Sequence, residues 1–301
     1  MSALHATRTR PWWPAASALA VATAVLGAAL LIPLAFSDPN GVDPDMVRLS
    51  VASALLLCVC CVSPRAVAIR PVLLAVAAAT VSFTVLSALP QLIVDVMGQQ
   101  ATSGYWRVLG VYAPAGDFEV FWASVAQLAV TAVIAALAWP LVPRELRPDL
   151  RLNRFRSGAL IAAAVGTAVL VGVVMALPAT WLGRLALQPI AIGRDMPLLG
   201  PANALQGLAQ EVQFRGMLMG SLERVMPPRL ANLAQACFFG LAHLAVNYEG
   251  PVGPFVPVTI VVGLLLGWIV QRTRSLWPAV VIHAAADVLI AVGVLPGLYG
   301  F

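Results

Sequence analysis

The sequence contains no lysine: all 18 of its basic residues are arginine. Charge of either sign is scarce, 10% of 301 residues, where soluble domains carry about 25%. That scarcity, with 60% hydrophobic residues and a mean hydropathy of +0.90, excludes an ordinary soluble domain and marks an integral membrane protein. The arginines are scattered between apolar runs rather than gathered on one face, which excludes nucleic acid as a partner. Cysteine is also sparse. Cys58, Cys60, Cys61 and Cys237 all lie in apolar runs without zinc-finger spacing, so they read as small buried hydrophobes. There is no internal repeat, no low-complexity tail and no soluble domain of useful size.

A helix needs about 20 apolar residues to cross a bilayer. Runs of that kind fall at about 14–36, 47–63, 71–95, 118–142, 157–178, 203–225, 229–247, 254–272 and 276–297. The fold class is therefore all-α, a polytopic transmembrane helix bundle of about eight or nine spans. The first run follows two arginines, as a signal peptide would, but it is longer than a usual signal core and further spans follow, so it reads as a retained helix. Pro90 breaks the third run, and 178–202 has the character of an interfacial helix. The chain divides into five N-terminal spans over 1–200, carrying a basic loop at 143–156, and a four-helix core over 201–297.

The arginines set the orientation. Thirteen of them, at 8, 10, 65, 70, 144, 147, 151, 154, 156, 224, 229, 272 and 274, share one side if the chain crosses nine times. The other side holds Arg48, Arg107, Arg184 and Arg194 among several acidic residues. The positive-inside rule then places the N-terminus in the cytoplasm and the C-terminus outside. The basic loop "RELRPDLRLNRFRSG" reads as a topological anchor on anionic headgroups, with membrane lipid as the first partner and a soluble partner as the alternative.

Ionisable residues deep within the spans are few: Glu211 and Arg215, His243, and His283 with Asp287. Groups at such depth are costly and by default mark function. Glu211 and Arg215 are four apart and share a helix face, as do His283 and Asp287, and Phe239 and His243. Ala284, Ala285 and Ala286, and likewise Gly240, permit close helix approach. Histidine and carboxylate are the residue types that move protons. Taken singly, each has a plainer reading: an ion pair fixing helix packing, a hydrogen-bonded core histidine, or an orienting His–Asp pair. His243, His283 and Asp287 are also side chains that zinc accepts.

Three local words join these residues: "QEVQFRG", "FFGLAH" and "SLWPAVVIHAAAD". In order, they resemble the motifs of the CAAX-protease and bacteriocin-processing family of intramembrane proteases: Glu-Glu-x-x-x-Arg, Phe-x-x-x-His and His-x-x-x-Asn or Asp. The resemblance covers roughly residues 200–290. It implies that the first glutamate and the second-motif histidine, here His243, activate a water for attack on a peptide carbonyl. It implies that His283 and Asp287 bind the developing oxyanion, with Arg215 and Phe239 as framework. Members have been described both as metalloproteases and as glutamate-dependent proteases, so a divalent metal such as zinc on His243, His283 and Asp287 stays open.

The chain departs from that pattern at one position: the first glutamate is Gln210. An amide can orient a water but cannot take its proton, and general-base help is worth about 10²–10⁴ in rate. Glu211 then serves as base, although it points about 100° round the helix from Gln210. Alternatively His243 serves and Gln210 orients. A third account is a relative without activity, or a chain whose glutamate was exchanged to trap substrate. An ionised Asp287 would repel an oxyanion, so in that role it acts protonated or through His283.

The expected function is thus an intramembrane endopeptidase acting on a membrane-associated protein or peptide. The alternatives are a silent protease-fold scaffold and a proton-coupled transporter. Transport fits less well, since the polar groups are confined to the late spans and the halves show no repeat. The arginine asymmetry and the family's habit point to a bacterial cytoplasmic membrane. There, signal-peptide remnants, small leader peptides or C-terminal sorting segments are the candidate substrates. Nothing in the sequence sets the oligomeric state.

Overall fold

The computed structural model describes residues 69–82, 117–152, 157–176, 198–243 and 255–289, with isolated positions 52, 55 and 67. Among the described residues there is no strand, so the all-α expectation holds. The run at 14–36 and most of those at 47–63 and 178–202 lie outside the described residues.

Among the described residues, seven α-helices of more than ten residues follow in order. They are α1 (Arg70–Ser82), α2 (Asp117–Ala138), α3 (Ser157–Ala176), α4 (beginning as Leu199–Glu211), α5 (Pro228–Ala242), α6 (Phe255–Thr273) and α7 (Trp277–Leu289). Their starts agree with the apolar runs to within a few residues, and α1, α5 and α7 are described only as far as Ser82, His243 and Leu289. Among the described residues one stretch, Val256–Thr273 in α6, is both long and apolar enough to cross a membrane. The apolar stretches of α1, α2 and α3 are shorter, at Arg70–Ser82, Phe121–Ala136 and Ser157–Val169. The count of eight or nine spans thus remains a reading of the sequence.

Local chemistry explains the breaks. Pro227 precedes α5 and Pro228 opens it, where a missing N–H costs nothing. Between α6 and α7, Arg274 takes a left-handed conformation with φ of 55° and returns its N–H to the Val270 carbonyl, a turn that ends one helix and starts the next.

The centre of the bundle is α4. It runs on through a π-helical segment, Val212–Met219, and a last α turn, Gly220–Leu222. Every residue from Ala209 to Leu222 is buried, so this half of α4 is covered on all sides. The wider π turn is an uncommon geometry that gathers at functional sites, and here it contains Gln213, Phe214 and Arg215. Around α4 stand α2 and α7, while α5 packs on α6 and α3 on α7.

Small residues set the helix separations. A Cβ on Gly207 of α4 would stand 3.2 Å from the Ala284 nitrogen of α7, and one on Gly263 of α6 would stand 3.2 Å from the Ala236 Cα of α5. Gly240 faces Ile260 and the Val256 carbonyl, the latter 3.1 Å from where a Cβ would sit. The close approaches expected at Gly240 and along Ala284–Ala286 are therefore present. Gly240→Ala is expected to cost about 1–3 kcal/mol through overpacking, although alanine is the better helix former. Gly158→Ala in α3, with nothing within 4 Å, is expected to be neutral or stabilising. Thermal unfolding of the two variants in detergent separates these outcomes.

The basic loop does more than sit at the surface. Val142 just before it and Arg151 within it are buried, and Arg151 forms an ion pair with Glu223 at the end of α4. Glu223 also accepts a 2.8 Å bond from Gln271 of α6. Trp277 of α7 donates to the Leu152 carbonyl at 2.7 Å, and Leu276 N–H donates to the Arg151 carbonyl at 3.2 Å. Arg224 reaches the Arg147 carbonyl at 3.1 Å. The loop is a strap that ties the ends of α4, α6 and α7 together, a role in addition to the expected anchor on lipid.

Candidate active site

The first motif folds as its spacing predicts. Arg215 Nη1 donates to Glu211 Oε1 at 2.7 Å, and both side chains are wholly buried. The same carboxylate oxygen meets His283 Nδ1 of α7 at 2.7 Å, so one atom of Glu211 joins two helices. His283 Nε2 stands 3.6 Å from Asp287 Oδ1, close but too long for a hydrogen bond. Arg215 also leans toward the Gly263 carbonyl of α6 at 3.5 Å. The acidic and basic residues of the first and third motifs thus form one cluster on α4 and α7.

Phe239 lies at the middle of the second motif's contribution. The Arg215 guanidinium lies over its ring, 4.3 Å from the centroid, a cation–π contact. His243 and His283 both meet that ring edge-on, at centroid separations of 4.6 and 5.5 Å. Phe214 packs on it from a third side at 5.1 Å. The i,i+4 spacing of Phe239 and His243 has a second result: His243 Nδ1 lies 2.8 Å from the Phe239 carbonyl. A carbonyl only accepts, so Nδ1 carries the hydrogen, and in the neutral ring Nε2 is left as an acceptor. The tautomer of His243 is therefore fixed by its own helix.

Gln210 is buried, 2% exposed, and its Oε1 has no hydrogen-bond partner. Glu211 Oε2 and Asp287 Oδ2 are likewise buried without partners. Such atoms cost about 1–3 kcal/mol each when left unmet, so three of them among the candidate residues mark a place built to receive polar atoms. Among the described residues no group of three His, Cys, Asp or Glu side chains is arranged to hold a metal. The donor set expected from the sequence is divided: His283 is engaged by Glu211 and faces Asp287, whereas His243 is tied to its own helix.

Counting only ionisable groups passed over the neutral ones. Gln213 donates from Nε2 to Ser82 of α1 at 2.5 Å and to Thr131 of α2 at 2.7 Å. Gln235 donates to the Gly263 carbonyl at 2.9 Å and to Asn232 at 2.8 Å, and Asn232 donates to the Leu264 carbonyl at 3.0 Å. The signal in the sequence is helical spacing of amides and hydroxyls within apolar runs: Asn232 and Gln235 lie three apart, and Ser124, Gln127 and Thr131 fall at i, i+3 and i+7.

An all-helical framework thus holds a buried Glu–Arg–His cluster beside a histidine of fixed orientation. Residues 194–289 match the family described as Type II CAAX prenyl endopeptidase Rce1-like. The match covers α4 to α7, about the stretch that carries the three motifs, and supports their resemblance to the CAAX-protease family. No curated protein and no solved structure matches the chain.

Proposed function

We propose that the chain is an intramembrane endopeptidase that hydrolyses a peptide bond in a membrane-associated protein or peptide. The observation that carries this reading is His243. Its Nδ1 is fixed on the Phe239 carbonyl, so that Nε2 is presented as a base beside the Arg215–Glu211–His283 cluster. In this reading His243 takes the proton of the attacking water and Gln210 orients that water through Oε1. Peptide hydrolysis also needs donors aimed at the oxyanion, and His283, steadied by Glu211 and Asp287, supplies them. Glu211 then serves as the clamp that holds Arg215 and His283 rather than as the base, since one of its oxygens is already bonded twice.

A second reading is favoured by one residue. Gln210 stands where the family's first glutamate belongs, and without that carboxylate the fold binds a membrane partner without cutting it. Mass-spectrometric mapping of new protein termini in cells expressing the natural chain or His243→Ala tests the two. Termini present with the natural chain and lost with His243→Ala are expected for the protease, and would name its substrate. Their absence from both leaves the scaffold.

A further inference from the structure

Hydrolysis inside a bilayer needs water where there is no bulk water. The structure offers a place to keep it, between α4 and a helix outside the segment that matches the family, α2. On α2, Ser124, Gln127 and Thr131 form one stripe at 0%, 0% and 1% exposure. On α4, Asn203, Gln210 and Gln213 are as deeply buried, at 4%, 2% and 1%. The Gln213–Thr131 bond joins the two helices at one level. Beyond the C-terminal ends of the two helices Arg224 meets the Arg147 carbonyl at 3.1 Å, and α2 packs along Leu199–Glu211, so the helices run parallel. Gln127 lies one turn before Thr131, about 6 Å along its axis, and Gln210 lies about 4.5 Å before Gln213 along the other. The two amides therefore stand at nearly the same height on the two packed helices.

Neither polar atom of Gln127 has a hydrogen-bond partner, and the Oε1 atoms of Gln210 and Gln213 have none either. One donor and three acceptors, all buried and all unmet, lie within adjacent turns of the two helices that the Gln213–Thr131 bond joins. An apolar side chain at 127 would avoid that cost entirely. Water both donates and accepts, and a buried water is held by two to four polar partners, which this seam supplies. We propose that the α2–α4 seam holds buried water and that Gln127 is a positioning residue for the water that reaches Gln210. The catalytic consequence rests on the hydrolytic reading above, whereas the presence of water does not.

Gln127→Met removes the amide at nearly constant volume, and thermal unfolding of the full chain in detergent reads the result. A wet seam predicts a lower Tm, because the stored water loses its partners. A dry seam predicts a higher Tm, because an unmet amide has been removed, and that outcome overturns the proposal. Gln127→Ser keeps a polar group and leaves room for one more water. It is expected to shift Tm by less than Gln127→Met, and a larger drop, as an empty cavity would give, also overturns the proposal. These readings need no cleavage, so they stand or fall apart from the protease assignment. In whichever of the natural chain and Gln210→Glu cleaves, Gln127→Met is expected to lower kcat about 10²-fold with KM unchanged. A raised KM with unchanged kcat would assign the amide to the substrate's main chain instead of to water.

Discussion

Gln210→Glu is expected to raise peptide-bond cleavage about 10²–10⁴-fold, the usual worth of a positioned general base. The exchange changes no volume and replaces an NH₂ by an oxygen at a buried site whose other oxygen is unpartnered. The new carboxylate stands one residue from Glu211, whose charge is already neutralised by Arg215 at 2.7 Å and shared with His283 at 2.7 Å. Like-charge repulsion therefore lowers stability, and the gain in rate is accompanied by a lower Tm. Quantifying new termini and a fluorogenic membrane peptide over the natural chain, Gln210→Glu, and Gln210→Glu with His243→Ala checks the result. The gain should vanish in the double variant, because glutamate and His243 share one water. Equal rates in the natural chain and Gln210→Glu would mean that His243 suffices as base and that position 210 only orients. If neither cleaves, the fold serves as a scaffold whatever stands at 210.

The parts of this site legible in the sequence are those set by one helix. Glu211 with Arg215 is an i,i+4 pair, and the structure closes it at 2.7 Å. Phe239 and His243 share a face for the same reason, although the bond to the Phe239 carbonyl, which fixes the ring's tautomer, is not visible in spacing alone. Contacts between helices were less accessible. Membrane topology counted from the ends of runs places Glu211 and His283 in opposite halves of the bilayer, yet their side chains touch. Helix tilt and the wider π turn at Val212–Met219 shift register by amounts that hydropathy does not encode. The strap at 143–152 was hidden for another reason. Its arginines read as lipid-facing, and only the Glu223 carboxylate in space shows that Arg151 turns inward. The neutral residues Gln127, Gln213 and Gln235 escaped a search built on charge, although burial in a membrane makes an unmet amide nearly as informative as an unmet carboxylate.

Glu211→Ala is expected to cost about 3–5 kcal/mol of stability, the penalty for stranding a buried charge. Arg215 is wholly buried and its Nη1 has Glu211 as its charged partner, while Nε has none. Its remaining support is the 3.5 Å approach to the Gly263 carbonyl and the face of Phe239. Neither neutralises a guanidinium in apolar surroundings. Removing the carboxylate also frees His283 from its 2.7 Å bond, so α4 and α7 lose their polar link at the level of the site. The matched loss of both charges behaves differently: an apolar pair of similar volume is often neutral or better than a buried ion pair. Glu211→Leu with Arg215→Met should therefore unfold at a higher temperature than Glu211→Ala alone, while remaining inactive. Thermal unfolding in detergent, read beside cleavage, distinguishes a carboxylate that clamps from one that catalyses. A clamp loses stability in the single variant and regains it in the double, whereas a base loses only rate. If Glu211→Ala kept the natural Tm and lost activity, the proton acceptor would be Glu211 and not His243.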